Sequence, residues 1–106
     1  GERPEVAAVP FDRSGVKIGF PIDRRRQAAA ILRAADGKPL PAGLELASGD
    51  GTVTGLVGRN GFAQVVGQLD RAVELRGERD GRSFACPLEA APAGELLPDL
   101  GVVTCR

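Results

Sequence analysis

The chain has 106 residues, 42% of them hydrophobic, and its 14 basic and 14 acidic residues give a formal net charge of zero. This length and apolar fraction fit one folded domain with one modest core, and the zero charge argues against a nucleic-acid footprint. The sequence contains no His, which excludes Ser-His and Cys-His catalytic pairs and imidazole metal sites.

The first part of the chain is predicted to be extended. Residues 1–12 contain Pro4 and Pro10 and form an extended lead-in. Residues 16–20 alternate apolar Val, Ile and Phe with Lys and Gly, which predicts a half-buried strand.

Residues 23–35 fit two kinds of secondary structure. A helix would align apolar residues at positions i, i+3, i+4 and i+7, namely Ala28, Ile31, Leu32 and Ala35. A strand would instead place Ala28, Ala30 and Leu32 on one face. The intrinsic propensities of Ala and Arg favour the helix, whereas the β-like neighbours favour the strand. The residues alone leave both possibilities open.

Short apolar runs separated by turn residues occupy the centre of the chain. The Asn60-Gly61 step is a strong hairpin signal. Gly, Asp, Asn and Pro between short apolar runs indicate antiparallel β-structure. The predicted turns are residues 36–39, 41–43, 49–51 and 58–61, and the predicted strands are residues 44–46, 52–57 and 62–66.

The remaining residues continue this pattern. A polar turn is predicted at residues 77–81 and a Pro- and Gly-containing loop at residues 90–98. The predicted strands here are residues 71–76, 82–88 and 100–105. About seven short strands at this spacing predict an all-β fold, a small antiparallel β-sandwich.

The two cysteines, Cys86 and Cys105, lie in separate predicted strands with 18 residues between them. A single disulfide is the simplest interpretation, and it implies the periplasm, the cell surface or secretion. The alternative is two free buried thiols in a cytosolic protein. Zinc is disfavoured because two thiolates cannot complete a four-ligand site.

A basic cluster, Arg24-Arg25-Arg26, precedes the central stretch. A solvated loop or strand edge explains it without any function. The alternative is the rim of a docking site for an acidic partner. These three arginines are therefore the candidate partner-binding residues.

Four motifs occur in a fixed order along the chain. They are VPFDRSGV at residues 9–16, DGKPLPAG at residues 36–43, VGRNGF at residues 57–62 and LPDLG at residues 97–101, with Cys105 soon after the last. In this combination the chain resembles the C-terminal periplasmic domain of outer-membrane ushers from the chaperone–usher pilus pathway, in their spore-coat-like (archaic) branch.

The resemblance implies one usher-type β-sandwich domain over residues 1–106 and decides for a strand at residues 23–35. It implies a non-catalytic binding domain without cofactor or metal, on the periplasmic side of an outer-membrane protein. The implied partners are periplasmic chaperone–pilin subunit complexes and the plug domain of the same usher, with no nucleic acid. The family often has a Gly-x-Val-Tyr-Leu pattern where this chain has residues 62–66, FAQVV, so no contact residue is carried over.

Another class of protein shares part of this pattern. The D-G-x-P-L-x-x-G turn followed by G-x-x-G-F also occurs in transthyretin-like or carboxypeptidase-regulatory-like modules, which are structural β-sandwiches of secreted or surface proteins. Those modules lack the Arg-Ser-Gly-Val opening and the terminal Leu-Gly-x-x-x-Cys. They are the alternative to the usher interpretation.

Overall fold

The computed structural model of the protein describes residues 26–106, and the fold of these residues is built from β-strands. The strands are β1 (Arg26–Arg33), β2 (Glu45–Ser48), β3 (Val53–Val57), β4 (Phe62–Gly67), β5 (Val73–Arg79), β6 (Arg82–Leu88) and β7 (Asp99–Thr104), with one 3-10 turn at Arg59–Gly61. The prediction of an all-β fold is confirmed. The lead-in predicted at residues 1–12 and the strand predicted at residues 16–20 lie outside the described residues.

The seven strands form one hydrogen-bonded sheet in the order β6-β5-β2-β3-β4-β1-β7. Neighbouring strands are antiparallel, as predicted, except for β7, which runs parallel to β1. The connection over residues 89–98 is long enough to carry the chain from one edge of the sheet to the other, whereas a tight hairpin would have placed β7 antiparallel beside β6. The sheet curls so that its two edge strands are joined at one end, by a disulfide and a pair of backbone hydrogen bonds.

Strand β1 resolves the ambiguity of residues 23–35 in favour of a strand, as far as the structure describes them. It pairs with β4 on one side and with β7 on the other. Ala28, Ala30 and Leu32 are 2%, 1% and 0% exposed, which is the period-2 burial of a strand. Two ladders of backbone hydrogen bonds and one buried face therefore override the helical propensity of the alanines.

The core lies inside the curl and receives buried side chains from β1 to β6, while Leu100 and Val103 of β7 pack against it partly buried. Leu32, Leu44 and Leu75 are its largest fully buried side chains. Burying one such leucine stabilises the fold by about 1.5–3 kcal/mol before entropy is counted. The buried hydrophobic residues are Ala28, Ala30, Leu32, Ala34, Leu40, Leu44, Leu46, Val53, Val57, Ala63, Val65, Leu69, Leu75, Phe84, Cys86, Leu88, Ala91 and Cys105.

The predicted turn at residues 77–81 is shorter in the structure. Strand β5 continues to Arg79, and the hairpin turns only through Asp80 and Gly81, with φ angles of 54° and 79°. Positive φ at both central residues is the requirement of a type I′ hairpin turn. Gly77 belongs to strand β5. Only glycine fits there, because a Cβ would lie 2.4 Å from the backbone oxygen of Glu45 on β2. This glycine permits the close approach of two strands. In the sequence alone, a glycine with this role looks the same as a glycine in a turn.

The predicted Asn-Gly turn between β3 and β4 is present. Asn60 has φ 58° and Gly61 has φ 79°, and the amide of Gly58 donates to the carbonyl oxygen of Phe62 at 2.7 Å. Space as well as φ requires glycine at position 61, because a Cβ would lie 2.5 Å from the Leu32 oxygen. The turn therefore fixes the register of β3 and β4 and packs against the end of β1.

Candidate functional site

A disulfide joins Cys86 in β6 to Cys105, which directly follows β7, as the simplest interpretation of the sequence predicts. Both residues are buried in the core. Strands β6 and β7 stand at opposite ends of the hydrogen-bonding order, so this covalent bond links the two edges of the sheet. An edge strand normally presents unpaired backbone groups that can recruit another chain, and here one end of both edges is closed.

Beyond the disulfide the two edges separate. The next residue of β6 is Pro87, which has no amide hydrogen and cannot donate to β7. Within residues 26–106 the backbone pairing of the two edges is confined to Ala85 and Arg106. A shallow groove opens where the pairing stops, lined by residues that include Val102 and Thr104. Proline at an edge is a common device against unwanted strand pairing.

The basic cluster predicted as a partner-binding rim is described only in part. Arg24 and Arg25 lie outside the described residues. Arg26 begins β1, and its Nη2 donates to the carbonyl oxygens of Pro92 at 2.8 Å and Glu95 at 3.0 Å. Its guanidinium therefore holds the loop between β6 and β7 in place. The role of the three arginines as a rim stays a prediction.

The turn between β2 and β3 is organised by one carboxylate, Asp50. Its Oδ1 accepts hydrogen bonds from the Ser48 hydroxyl at 2.8 Å, the Thr52 amide at 3.0 Å and the Thr52 hydroxyl at 2.8 Å. Its Oδ2 lies 3.0 Å from the Arg71 guanidinium. The hydrogen bonds from Thr52 and Ser48, with a smaller contribution from Arg71, hold the pKa of Asp50 well below its usual range. These contacts build the turn that the sequence predicts at residues 49–51.

A second charged cluster lies on the outer surface of β5. The Glu74 carboxylate accepts hydrogen bonds from Arg76, at 2.8 Å from Nε, and from Arg106. The hydrogen bond from Arg76 is the main cause of the lowered pKa of Glu74, and the charge of Arg106 adds to it. Because these side chains are partly or largely exposed, the cluster adds little to stability.

Residues 26–106 hold no group of three or more His, Cys, Asp or Glu side chains that could bind a metal ion. In the same part of the chain, no helix has both the length and the apolar character needed to cross a membrane.

An apolar patch covers part of the outer surface of the sheet. We call it the apolar outer face and define it by Ile31, Leu56, Phe62 and Val102. Ile31 on β1 stands opposite Phe62 on β4 and opposite Val102 on β7, so these three residues form a continuous row. Leu56 on β3 stands opposite Gln64 and is therefore diagonal to Phe62.

These side chains are partly or largely open to solvent. Leu56, Phe62 and Val102 are 51%, 50% and 54% exposed, and Ile31 is partly buried. Sequence reasoning did not single them out, although the alternation of each strand carries the signal. Once the inward-facing positions of β1, β3, β4 and β7 are assigned, these apolar residues are left facing outward.

Solved structures similar to this chain exist, whereas no similar protein is found from the sequence. No family model matches the chain, and no curated protein matches it. The crystal structure of the C-terminal domain of the PapC usher is similar, with 26% identity and a TM-score of 0.54, covering 76% of this chain and 98% of that one. A structure that relates this PapC domain to the usher's plug has 26% identity and a TM-score of 0.53, covering 79% of this chain and 95% of that one.

A larger assembly contains a third similar structure. A chain of the E. coli P pilus tip assembly intermediate PapC-PapD-PapK-PapG, determined by cryo-electron microscopy, is 25% identical with a TM-score of 0.63, covering 84% of this chain and 11% of that one. The predicted resemblance to usher C-terminal domains is thus confirmed at the level of the fold.

Proposed function

We propose that this chain is a non-catalytic binding domain of an outer-membrane usher, which engages chaperone–pilin subunit complexes during pilus assembly and secretion. The observation that carries the proposal is the structural similarity to the PapC usher C-terminal domain, which extends over 98% of that domain. The four sequence motifs in usher-like order support the same proposal independently of the structural similarity.

The chemistry of the described residues suits binding better than catalysis. The chain has no His, and the carboxylates with shifted pKa values, Asp50 and Glu74, are hydrogen-bonded into a turn and a surface ion cluster. The buried disulfide suits an oxidising compartment such as the periplasm. We therefore place the domain on the periplasmic side of its parent protein.

The partners follow from the assembly in which a similar chain is found. That assembly contains PapC together with PapD, PapK and PapG. For this chain we propose the corresponding class of partner, a periplasmic chaperone carrying a pilin subunit, with the plug domain of its own usher as a second contact. An assembly platform must release each complex, so a small interface with exchangeable binding fits the role.

The test measures binding of the whole 106-residue chain to purified chaperone–subunit complexes from its source organism. We expect saturable binding that chaperone-free controls do not reproduce. In cells, an usher that is truncated before residue 9 but still inserted in the membrane should assemble few or no pili. Normal piliation, or no binding even at high concentration, would make the recruitment role wrong and favour the structural transthyretin-like module.

A further inference from the structure

We propose that Leu96 and Leu97, in the loop between β6 and β7, form a docking surface for Phe20 and Ile22 of the same chain. Phe20 and Ile22 belong to residues 20–25, which lead directly into β1 and lie outside the described residues. We call this stretch the entry segment. The inference does not depend on the proposed function. It adds an interaction surface and the part of the chain that occupies it, and so the direction from which the chain enters the domain.

The loop between β6 and β7 is held at both ends and in the middle. The amide of Ala91 donates to the carbonyl oxygen of Leu69 at 2.8 Å, and the carbonyl oxygen of Pro98 accepts from the amide of Ala29 at 3.0 Å. Between these points the guanidinium of Arg26 donates to two carbonyl oxygens of the loop. Side chains that are exposed in this loop are therefore presented by a fixed backbone.

Two adjacent leucines of this loop face solvent. Leu96 and Leu97 are 97% and 60% exposed, and Pro92 and Ala93 of the same loop are exposed as well. Single exposed apolar side chains are normal on a protein surface, whereas contiguous ones mark contact sites. Residues 26–106 do not cover the two leucines, so their cover comes from outside this part of the chain.

The chain enters the domain beside these leucines. Arg26 begins β1, and its guanidinium holds the carbonyl oxygen of Glu95, the residue directly before Leu96. Ile22 precedes Arg26 by four residues, so its Cα lies within about 14 Å of the Cα of Arg26, and that of Phe20 lies within about 21 Å. Phe20 and Ile22 are the large apolar side chains of the entry segment. Both are thus within reach of the loop.

Charge favours the same pairing. Residues 89–99 carry Glu89, Glu95 and Asp99 and no basic residue. The entry segment carries Arg24 and Arg25 between its apolar residues and β1, and only one acidic residue. The acidic loop therefore attracts the basic entry segment and repels an acidic partner.

A second copy of the chain fits this surface less well. In a two-fold symmetric dimer the same patch meets itself, so the acidic loop of one copy would face the acidic loop of the other. Two leucines also cover far less than the roughly 800 Å² that a stable interface buries on each partner. The entry segment needs no such area, because its covalent link to β1 gives it a high effective concentration at the loop.

The test uses the whole 106-residue chain, which contains no Trp and no Tyr. One introduced Trp therefore reports on its own surroundings, and an indole in an apolar contact emits at shorter wavelength than an indole in water. The emission of Phe20→Trp should lie at shorter wavelength than that of Phe11→Trp, a position that the docking leaves in solvent. Adding Leu96→Thr with Leu97→Thr should move the Phe20→Trp emission to the wavelength of the Phe11→Trp control.

A matched pair of substitutions controls for the loss of two exposed apolar side chains elsewhere. Leu56→Thr with Phe62→Thr removes them from the apolar outer face and should leave the Phe20→Trp emission unchanged. Circular dichroism checks that each variant keeps the fold, which substitutions at exposed positions normally do.

Trypsin gives a second readout with an internal control. The docked entry segment shields the bonds after Arg24 and Arg25, whereas the bond after Arg13 lies outside the contact. In the Leu96→Thr and Leu97→Thr variant, cleavage after Arg24 and Arg25 should rise by about tenfold, because proteolysis follows the population of the open form. Cleavage after Arg13 should not change.

Ile22→Thr disrupts the contact from the other side and leaves residues 26–106 unaltered. It should raise cleavage in the entry segment in the same way, and it does so independently of any effect of the loop substitutions on folding. Unchanged cleavage in this variant would contradict the proposal.

The fluorescence has three further outcomes that would overturn the proposal. If Phe20→Trp emits like Phe11→Trp while the loop is unaltered, the entry segment does not dock. If its emission is at short wavelength but insensitive to the loop substitutions, Phe20 is covered by another surface. If its emission depends on protein concentration, the cover comes from a second copy. None of these measurements uses the chaperone–subunit complex, so the proposed function stands or fails separately.

Discussion

The backbone amide of Arg106 donates to the carbonyl oxygen of Ala85 at 2.9 Å, and the amide of Ala85 donates back to the carbonyl oxygen of Arg106 at 2.9 Å. Ala85 lies in β6 and Arg106 follows β7, so this reciprocal pair joins the two edges of a seven-stranded sheet. The disulfide crosses the same junction one residue away on each side. Closure at this junction therefore depends on one covalent bond and two hydrogen bonds.

Reduction of the Cys86–Cys105 disulfide should destabilise the protein by roughly 3 kcal/mol, because the reduced unfolded chain regains the entropy of a loop of about 20 residues. Urea unfolding with and without reductant measures the change. The double variant Cys86→Ala with Cys105→Ala is the control, since its midpoint should not respond to reductant. Equal midpoints for the unaltered protein in both conditions would contradict the prediction.

An added methyl group at Gly77 should disturb the pairing of β2 with β5. A Cβ there would lie 2.4 Å from the Glu45 oxygen and 2.8 Å from Leu46 Cδ2, so the β2–β5 pairing must shift. We expect Gly77→Ala to cost about 1–3 kcal/mol in the free energy of unfolding. Gly49→Ala is the matched control, because its Cβ would meet nothing within 4 Å and should change stability by less than about 0.5 kcal/mol. Equal effects of the two substitutions would show that strand approach does not require Gly77.

Much of the fold could be predicted from local patterns, and the rest depends on contacts between distant parts of the chain. Short apolar runs between turn residues predicted the strands from β2 to β6, because Gly, Asp, Asn and Pro end a strand where the chain must turn. The parallel pairing of β7 with β1 depends on where residues 89–98 carry the chain, which no local pattern encodes. The same holds for Gly77, whose need for glycine comes from Glu45 on another strand.

The candidate site was less predictable than the fold. Arg26 carries charge in the sequence, which suggested a rim, but its hydrogen bonds to Pro92 and Glu95 connect residues 66 and 69 positions apart. The apolar outer face joins Phe62, Ile31 and Val102 only because β4, β1 and β7 are neighbours in the sheet. A surface assembled from three separate strands becomes visible only when the strand order is known.

Acid should weaken the protein partly through Asp50. Its pKa is lowered in the folded state, so protons bind the unfolded state more readily, and the stability it contributes is lost as pH falls below the ordinary value of 3.8. Asp50→Asn should therefore lose less stability than the unaltered protein over this acid range, while being the less stable of the two at neutral pH. Thermal midpoints measured from neutral to acidic pH test this, with exposed Asp70→Asn as control. Parallel curves for Asp50→Asn and the unaltered protein would contradict the prediction.

Substitutions at Arg26 can separate its two roles, as a brace for the loop between β6 and β7 and as part of a charged rim. The brace depends on the terminal guanidinium nitrogen Nη2, which reaches two carbonyl oxygens, and the lysine side chain ends one bond short of that position. Arg26→Lys and Arg26→Gln should therefore both loosen the loop, at a cost of about 1 kcal/mol in stability. Leu96 is 97% exposed in this loop, so chymotrypsin should cleave both variants there faster than the unaltered protein.

The rim depends on charge alone, so only Arg26→Gln should slow association with the chaperone–subunit complex at low salt. If the lysine variant resists cleavage like the unaltered protein, the two carbonyl hydrogen bonds do not hold the loop. If the glutamine variant associates at the unaltered rate at low salt, Arg26 is a brace and has no part in a rim.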